Sequence, residues 1–313
     1  MAIKISVCVT TYNRAALLDC TLESLSGQTR MPDELIISDN NSSDDTHRIV
    51  EKWRHRFRNY IYNRNIHNLY MPGNLNAAIA HATGEYIANL HDADEFAPNL
   101  LEEWEKALDA YSSAGMVFCG VAGGRTEARY NDGITVQNGG ITLHNVAPIT
   151  AGRDFYEKYF LHRLSSIVWG TVMARRSAYD KLLPFDPTFD FISDVDMWMR
   201  MCFHYDVAYV RKPLIILNDD HAPANWGCRG IFNWKALDLS RKIQEVNIKR
   251  FYFDHPERLH RELHRHHRLV QWIYLKRILG RARDLDWNGV KEGLGLLRNL
   301  GWPLGLAGGL PRD

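Results

Sequence analysis

Cysteine pairs, long apolar runs and an excess of one charge are all missing from this sequence. Its five cysteines are scattered and form no CxxC pair, which argues against a disulfide framework or a zinc site. No run of about 18 apolar residues occurs, so we expect no transmembrane helix. The first residues also lack the apolar core of a signal peptide. These absences predict a protein that stays in the cytoplasm.

The charges of the chain are nearly balanced, with a formal net charge of +1 in 313 residues. Such a balance argues against a dedicated nucleic-acid-binding protein. Hydrophobic residues make up 45% of the chain and charged residues 24%, as in ordinary globular proteins. The length allows one large domain or two smaller ones.

Strand and helix patterns alternate through roughly the first 90 residues. Residues 3–9 alternate between apolar and polar side chains, as a strand does, and Leu18, Leu22 and Leu25 then recur at helical spacing. The same reading predicts further strands at 34–38, 59–63 and 85–90, and helices at 49–57 and 73–83. Alternation of this kind predicts an α/β fold with a doubly wound, mostly parallel sheet.

Polar loops follow three of these strands: TYNR, DNNSSDD and HDADE. Ligands of parallel sheets bind beyond the carboxyl ends of the strands, so we expect the three loops to converge there. In the last loop Asp92 and Asp94 are two residues apart, and side chains so spaced face the same side of an extended chain. One or two carboxylates with substrate phosphates are a common ligand set for Mg²⁺. The alternative is an acidic turn at the surface.

The pattern changes after about residue 115. We predict a strand at 116–120, a hairpin within 127–145, helices at 152–161 and 191–205, and late strands within 207–219. Beyond about residue 230 the chain reads as helical and basic, with ten Lys or Arg and three Asp or Glu from Lys249 to Arg283. This segment is either a solvated helical face or a surface that lies on anionic lipid. The C-terminal helices are also candidates for a homodimer contact.

Four stretches carry a more specific signal: SVCVTTYNR, IISDNNSSDDT, ATGEYIANLHDADEF and SDVDMWMRM. In this order and spacing, over roughly residues 3–225, the chain resembles the family 2 glycosyltransferases of GT-A fold, which are inverting enzymes that use nucleotide sugars. The resemblance implies a GT-A catalytic domain at 1–230. Its halves, 1–115 and 116–230, would bind the nucleotide sugar and the acceptor, and a helical basic region would follow at 231–313.

The resemblance also implies roles for single residues. Asp194 would be the catalytic base, and Mg²⁺ or Mn²⁺ would be held by Asp94, Asp92 and His221. The residues implied in binding the nucleotide sugar are Thr11, Tyr12, Arg14, Asp39, Asn76, Asp92, Ala93 and Asp94. Those implied in binding the acceptor are Trp169, Gly170, Asp196 and Trp198.

The chain departs from the family pattern at four positions. The family often has Asp, Arg, Asp and Glu where this chain has Ser38, Leu75, Glu95 and Ser193. Structural readings of the site residues also stay open. They are a helix N-terminal carboxylate for Asp194, an Asx-turn for Asp39, core packing for Trp169 and a structural histidine for His221.

These patterns together predict transfer of a sugar from a nucleotide donor, with UDP favoured, to a saccharide or lipid-linked saccharide. Asp194→Asn is then expected to keep nucleotide binding and to lose most turnover. One alternative is a nucleotidyltransferase, although the first loop has none of the glycines that such enzymes usually need. The other is a catalytically degenerate GT-A scaffold that binds carbohydrate or membrane.

Overall fold

The computed structural model describes residues 3–122, 134–137, 140–143, 146–164, 167–168, 170–217 and 234–301. The chain divides into two compact units. The first unit comprises the described parts of 1–160 and 165–228, and the second comprises 161–164 and the described part of 229–313. The domain boundary that we predict at 230 lies outside the described residues.

The first unit is built on one sheet, to which eleven strands of the described residues belong. They are β1 (Ile5–Thr11), β2 (Glu34–Asp39), β3 (Tyr60–Arg64), β4 (Tyr86–His91), β5 (Glu95–Phe96), β6 (Ala114–Ala122), β7 (Ile134–Gln137), β8 (Gly140–Leu143), β9 (Ile149–Thr150), β10 (Val172–Arg175) and β11 (Asp206–Ile216). The main strand order is β3–β2–β1–β4–β10–β6–β11–β5. The hairpin of β7 and β8 pairs with β6, and β9 pairs with β11.

Helices connect these strands and form the second unit. Those of the first unit are α1 (Ala15–Ser26), α2 (Thr46–Trp53), α3 (Tyr70–His81), α4 (Leu100–Ala110), α5 (Gly152–Phe155), α6 (Arg176–Lys181) and α7 (Ser193–His204). Those of the second unit are α8 (Trp234–Tyr252), α9 (Pro256–Arg283) and α10 (Trp287–Asn299). Among the described residues, no helix is both long enough and apolar enough to cross a membrane.

The sheet is mixed, whereas the sequence predicts a mostly parallel one. Strands β1 to β4 pair in parallel, as expected. Strand β10, however, runs antiparallel to both of its neighbours, β4 and β6. Because of this reversal, Val172 at the start of β10 pairs with Asn89 near the carboxyl end of β4. The residues just before β10 therefore reach the end of the sheet where the polar loops lie.

Burial along the strands explains the sequence pattern of the first unit. The side chains of β1, β2 and β4 are buried along nearly their whole length, so these strands carry near-continuous apolar runs. The predicted hairpin within 127–145 is confirmed by the antiparallel pair β7 and β8. Helix α3 begins at Tyr70, three residues earlier than predicted, because Pro72 is tolerated in the first turn of a helix. The predicted helix at 152–161 is instead α5 followed by a π-helical turn, Tyr156–Phe160.

The second unit has a separate apolar core. It is formed by Trp234, Leu237, Val270, Tyr274, Ile278, Val290 and Leu297, one group of side chains from each of its three helices. Helix α10 approaches closely because Gly293 has no side chain, and a Cβ there would lie 2.4 Å from the Trp234 ring. The short segment 161–164 belongs to this unit, where Gln244 donates a hydrogen bond to the Arg163 carbonyl at 2.8 Å.

Candidate active site

The loops after β1 and β2 are fastened to each other by side chains. Asn13, which has the left-handed φ of 52°, donates its backbone N–H to the Ser42 hydroxyl at 2.9 Å. Its side-chain oxygen accepts the backbone N–H of Ser43 at 2.7 Å. One residue past the loop, Ala15 donates its N–H to the Asp44 carboxylate at 2.9 Å. Asparagine and aspartate make such turn contacts readily, so these two loops have one fixed arrangement.

An ion pair joins the loop after β4 to the first loop. The Arg14 guanidinium lies 2.8 Å from the Asp92 carboxylate, and only 15% and 6% of the two side chains are exposed. Burying either of these charges without the other would be costly, so the two side chains are expected to stay paired. The three polar loops thus converge at the carboxyl ends of β1, β2 and β4, as the sequence predicts.

Asp92 and Asp94 lie on a turn rather than on an extended chain, which corrects the geometric argument made from their spacing. Strand β4 ends at His91, and residues 92 and 93 form the turn. The Thr21 hydroxyl donates to the Asp94 carbonyl at 2.7 Å and so anchors the turn on α1. The Asp94 carboxylate lies 3.7 Å from the His91 ring and 3.4 Å from the Thr171 hydroxyl.

Gly170 brings the catalytic candidate Asp194 to this turn. The Asn89 amide of β4 donates to the Gly170 carbonyl at 2.8 Å, which fixes the residues before β10. A Cβ on Gly170 would lie 2.4 Å from Nε2 of His91 and 3.0 Å from Oδ2 of Asp194. The imidazole and the carboxylate therefore approach Gly170 together, although about 100 residues separate them in sequence.

The surroundings of Asp194 shift its proton affinity. The residue is half-buried in the first turn of α7, and burial raises the pKa of its carboxyl to about 6. The Val195 backbone N–H, which donates to Oδ1 at 2.9 Å, acts in the opposite direction. The His91 side chain is 47% exposed, and the desolvation of its buried part lowers the pKa of the imidazole below its ordinary value. A carboxylate that titrates near neutral pH is suited to accept a proton during a reaction.

Two buried carboxylates fit the protein's share of a divalent-metal site. Asp92 and Asp94 are 4% and 7% exposed, and Mg²⁺ commonly takes one or two carboxylates and completes its ligand shell with phosphate oxygens and water. No group of three His, Cys, Asp or Glu among the described residues is arranged to hold a metal ion by itself. The predicted third ligand, His221, lies outside the described residues.

Several residues predicted to bind the nucleotide sugar are used within the protein. Both oxygens of Asp39 are bonded, one to the Ser42 N–H at 2.8 Å and the other to the Tyr62 hydroxyl at 2.7 Å. Asp39 is also only 1% exposed, so in this structure its carboxylate is used in the turn after β2 and against Tyr62. Asn76 is likewise engaged, because its amide bonds both the N–H and the carbonyl of Phe185.

The remaining residues of the nucleotide-binding set lie at the mouth of the loops or directly beneath it. Tyr12 is 44% exposed, and Ala93 is half-buried on the turn after β4. Thr11 is 2% exposed, and its hydroxyl has no hydrogen-bond partner among the described residues. An unpaired buried hydroxyl is costly and marks a position where a ligand or water can bind.

Two of the four predicted acceptor-binding residues are structural, and this corrects the prediction. Trp198 is fully buried and packs edge-on against Phe185 at 5.9 Å, so it has no surface to offer an acceptor. Asp196 is 2% exposed and accepts a 2.7 Å hydrogen bond from Arg200 one turn later on α7. Gly170 does lie at the site, whereas Trp169 lies outside the described residues.

Sequence reasoning assigned no role to His91, Asn89 or Thr171, which the structure places around the turn. His91 carried a usable signal, because it is the last residue of a buried strand and precedes the two aspartates. Thr171 gave none, since its position depends on the reversal of β10.

The structure also explains part of the departures from the family pattern. Leu75 is a core residue, 3% exposed, and Ser193 is buried with its hydroxyl 3.9 Å from the Met71 sulfur.

Comparisons with known proteins identify the family of the chain. Residues 6–183 match the family described as Glycosyl transferase family 2. The chain is 35% identical over 111 residues to the GalNAc(5)-diNAcBac-PP-undecaprenol beta-1,3-glucosyltransferase of Campylobacter jejuni, a stretch that covers 35% of this chain and 36% of that protein. The matched region spans about a third of the length of the first two curated relatives.

Solved structures share the fold at low sequence identity. TarS from S. aureus in complex with UDP-GlcNAc superposes with a TM-score of 0.61 at 17% identity, covering 95% of this chain and 92% of the other. The mannosyltransferase PcManGT from Pyrobaculum calidifontis, in complex with GDP-Man and Mn²⁺, superposes with a TM-score of 0.57 at 18% identity, covering 98% and 77%. These structures establish the GT-A fold.

Proposed function

The chain belongs to glycosyl transferase family 2, and from this premise we propose that it transfers a sugar from a nucleotide-sugar donor to a saccharide acceptor. UDP is the favoured nucleotide, because the TarS structures of the same fold are complexes with UDP and UDP-GlcNAc. A lipid-linked saccharide is the favoured acceptor, because the Campylobacter jejuni relative is named for one.

The observation that carries the proposal is the meeting of His91 and Asp194 at Gly170, beside the buried turn of Asp92 and Asp94. A sugar transferase needs a base for the acceptor hydroxyl and a group that holds the donor diphosphate. The two must lie close enough to contact the same bound donor and acceptor. In the proposed reaction Asp194, on the first turn of α7, supplies the base, and the turn after β4 supplies the diphosphate site.

Asp194 accepts the proton of the acceptor hydroxyl in the proposed reaction. As that hydroxyl oxygen bonds to the anomeric carbon, the bond from the anomeric carbon to the phosphate oxygen breaks, and its electron pair leaves with the nucleoside diphosphate. A single displacement of this kind inverts the anomeric configuration. With a pKa of about 6, the carboxylate is largely ionised at neutral pH and remains a competent base.

Asp92 and Asp94 would hold Mg²⁺ or Mn²⁺ in the proposed complex, and a bound metal ion offsets the negative charge that develops on the leaving diphosphate. Arg14 is already paired with Asp92 at 2.8 Å, so its charge lies at the same place. Tyr12 and the unpaired hydroxyl of Thr11 are the proposed contacts of the nucleoside on the first loop.

Release of the nucleoside diphosphate tests the proposal. The full chain is incubated with a panel of UDP-sugars and GDP-mannose, with Mn²⁺ or with EDTA, and liberated UDP or GDP is measured. We expect metal-dependent release from at least one donor, faster in the presence of a saccharide acceptor, and a product of opposite anomeric configuration by NMR. A degenerate scaffold would release none, and a nucleotidyltransferase would instead form pyrophosphate from a nucleoside triphosphate and a sugar phosphate.

Homodimer formation stays a prediction of the sequence, and size-exclusion chromatography with light scattering tests it. Contact with an anionic membrane likewise stays a prediction of the sequence.

A further inference from the structure

Over residues 260–283, one face of α9 is exposed, basic and free of acidic side chains. Seven of its positions follow one another at intervals of three or four residues, as expected for a single face of an α-helix. The exposed residues of this stretch, which we call the basic face, are His260, Arg261, His264, Arg265, Arg268, Trp272, Lys276, Leu279 and Arg283. At about 1.5 Å per residue, the face runs for about 33 Å along the helix.

The acidic residue within this stretch points the other way. Glu262 is 5% exposed and accepts hydrogen bonds from His162 at 2.9 Å and from its neighbour Arg261 at 3.0 Å. Within the described residues, no carboxylate lies within ion-pair distance of Arg265 or Arg268. Between residues 260 and 283 the helix thus buries its negative charge in the second unit and presents positive charge to the solvent, whereas Glu257, in the first turn of α9, is exposed.

A cavity of about 470 Å³ opens along the first half of the basic face. The described residues that line it are His260, Arg261, His264, Arg265 and Arg268. Every one of these side chains carries nitrogen donors, and arginine in particular presents a planar set of N–H groups that matches phosphate. The chemistry of this cavity is that of a phosphate-group site.

The second half of the basic face adds exposed apolar surface. Trp272 is 52% exposed and Leu279 is 61% exposed, with the Lys276 ammonium 4.9 Å from the Trp272 ring. Just beyond the helix, Leu285 and Trp287 are 72% and 60% exposed. Tryptophan and leucine among cations are typical of helices that lie in the interface of a membrane.

We propose that the basic face of α9 binds the surface of an anionic lipid bilayer, with lipid phosphates in the cavity between His260 and Arg268 and with Trp272 and Leu279 in the interface. The helix lies along the membrane and does not cross it. This proposal concerns the second unit alone and does not rest on the proposed reaction.

Two other occupants fit the observations less well. A nucleic acid would account for the cations but leaves the exposed Trp272 and Leu279 unexplained. A second copy of this chain, meeting face to face, would bring like charges together. Anionic lipid is complementary to both the charge and the apolar surface.

Flotation of the full-length protein with vesicles tests the proposal. Vesicles of phosphatidylcholine alone are compared with vesicles that contain about 30% phosphatidylglycerol, at low and at high salt. We expect binding to the anionic vesicles only, weakened by salt.

The double substitution Arg265→Gln and Arg268→Gln should weaken binding by about 25-fold, because a surface Lys or Arg contributes roughly a fivefold factor. Trp272→Ala with Leu279→Ala should weaken it by about tenfold or more at either salt concentration.

The matched control is Arg56→Gln with Arg176→Gln, which removes the same charge from exposed positions of the first unit. This control should bind vesicles as the unchanged protein does, and UDP-sugar turnover on a soluble acceptor should be the same in all three variants. Arg265 and Arg268 are exposed, so the double variant is expected to fold. Arg268→Gln alone should give a smaller loss of vesicle binding than the double variant. No binding at low salt overturns the proposal, as does an equal loss in the control pair. Binding of a DNA duplex that depends on Arg265 and Arg268, without vesicle binding, overturns it in favour of nucleic acid.

Discussion

A side chain at Gly170 would displace the groups that meet at the site. A Cβ there would come within 2.4 Å of the His91 ring and 3.0 Å of the Asp194 carboxylate, distances that force one of them to move. We expect Gly170→Ala to lower turnover by about 100-fold, since a displacement of about 1 Å at a reacting group costs this much. Steady-state kinetics with the active donor would measure the loss.

A matched glycine on an open surface provides the control for that experiment. Gly295 lies on α10, and a Cβ there meets nothing within 4 Å. Gly295→Ala should leave turnover unchanged and stabilise the helix by about 0.5–1 kcal/mol, because alanine is the better helix former. Equal activity of both alanine variants would remove Gly170 from the site.

Asp194→Asn tests the general base directly. The amide keeps the shape of the carboxylate but does not accept the acceptor's proton, so we expect turnover to fall by about 10²–10⁴-fold. Affinity for UDP should stay the same, because the nucleotide is held by other loops. Nucleotide binding by calorimetry and turnover by product formation separate the two effects, and near-normal turnover would contradict the assignment.

The pH dependence of the unchanged enzyme provides a second measure of Asp194. Its carboxyl has a pKa of about 6, so below this pH the base is protonated and the rate should fall about tenfold per pH unit. Above pH 7 the carboxylate is ionised and this limb should be flat. The residual activity of Asp194→Asn should lack the limb near pH 6, and a limb that persists there would point to another group.

The positions of single residues could be predicted where a residue directly follows a strand, but not where its position depends on packing. Asp92, Asp94 and Arg14 follow strands, and the ends of parallel strands meet in any such sheet. Trp198 and Asp196 carry the same motif, yet they face the interior of the protein, and a motif does not say which way a helix is turned. Asn76 was assigned by the same resemblance, but its amide bonds Phe185, which lies 109 residues away.

At the level of strands and helices, local sequence patterns determine which strands and helices form. The direction of a strand in the sheet depends on its pairing with strands that are distant in sequence. The first four strands and α7 were foreseen because their apolar residues recur with the proper period. The reversal of β10 was not, because it depends on pairing with β4 more than 80 residues earlier. That reversal carries Gly170 and Thr171 to the site, and the sheet is mixed because β5, β8 and β9 also pair antiparallel with their neighbours.

Helix α9 contains a histidine whose burial makes the second unit sensitive to acid. His266 is fully buried, its ring centroid lies 6.0 Å from that of His162, and burial lowers its pKa to about 4. The unfolded chain binds a proton near pH 6.5, whereas the folded chain resists it down to about pH 4. Stability therefore falls as the pH decreases through this window, by about 2 kcal/mol between pH 6.5 and pH 5.

Comparison of variants isolates this contribution from that of other groups. His266→Gln does not titrate, so its free energy of unfolding in urea should depend less on pH, by the same 2 kcal/mol or so. His264→Gln changes an exposed histidine of the same helix and should keep the pH dependence of the unchanged protein. An equal pH dependence in His266→Gln would show that His266 does not titrate in this window.

Across the molecule, the two proposed ligand surfaces lie in different compact units. The loops after β1, β2 and β4 belong to the first unit, and the basic face of α9 belongs to the second. Amide hydrogen exchange can measure ligand binding at both surfaces in one experiment. UDP with Mn²⁺ should slow exchange at 10–14 and 91–96, because a bound ligand stabilises the loops that hold it. Anionic vesicles should slow exchange along 260–283 and leave 10–14 and 91–96 as they were.

The full set of conditions distinguishes the two proposals from each other. Protection of 91–96 by UDP only when Mn²⁺ is present supports the metal role of Asp92 and Asp94, and Asp94→Asn should remove that dependence. Protection of 260–283 should survive Asp94→Asn and decrease with Arg265→Gln and Arg268→Gln. If vesicles protected 91–96 but not 260–283, lipid would bind the first unit, and the basic face of α9 would be a solvated surface.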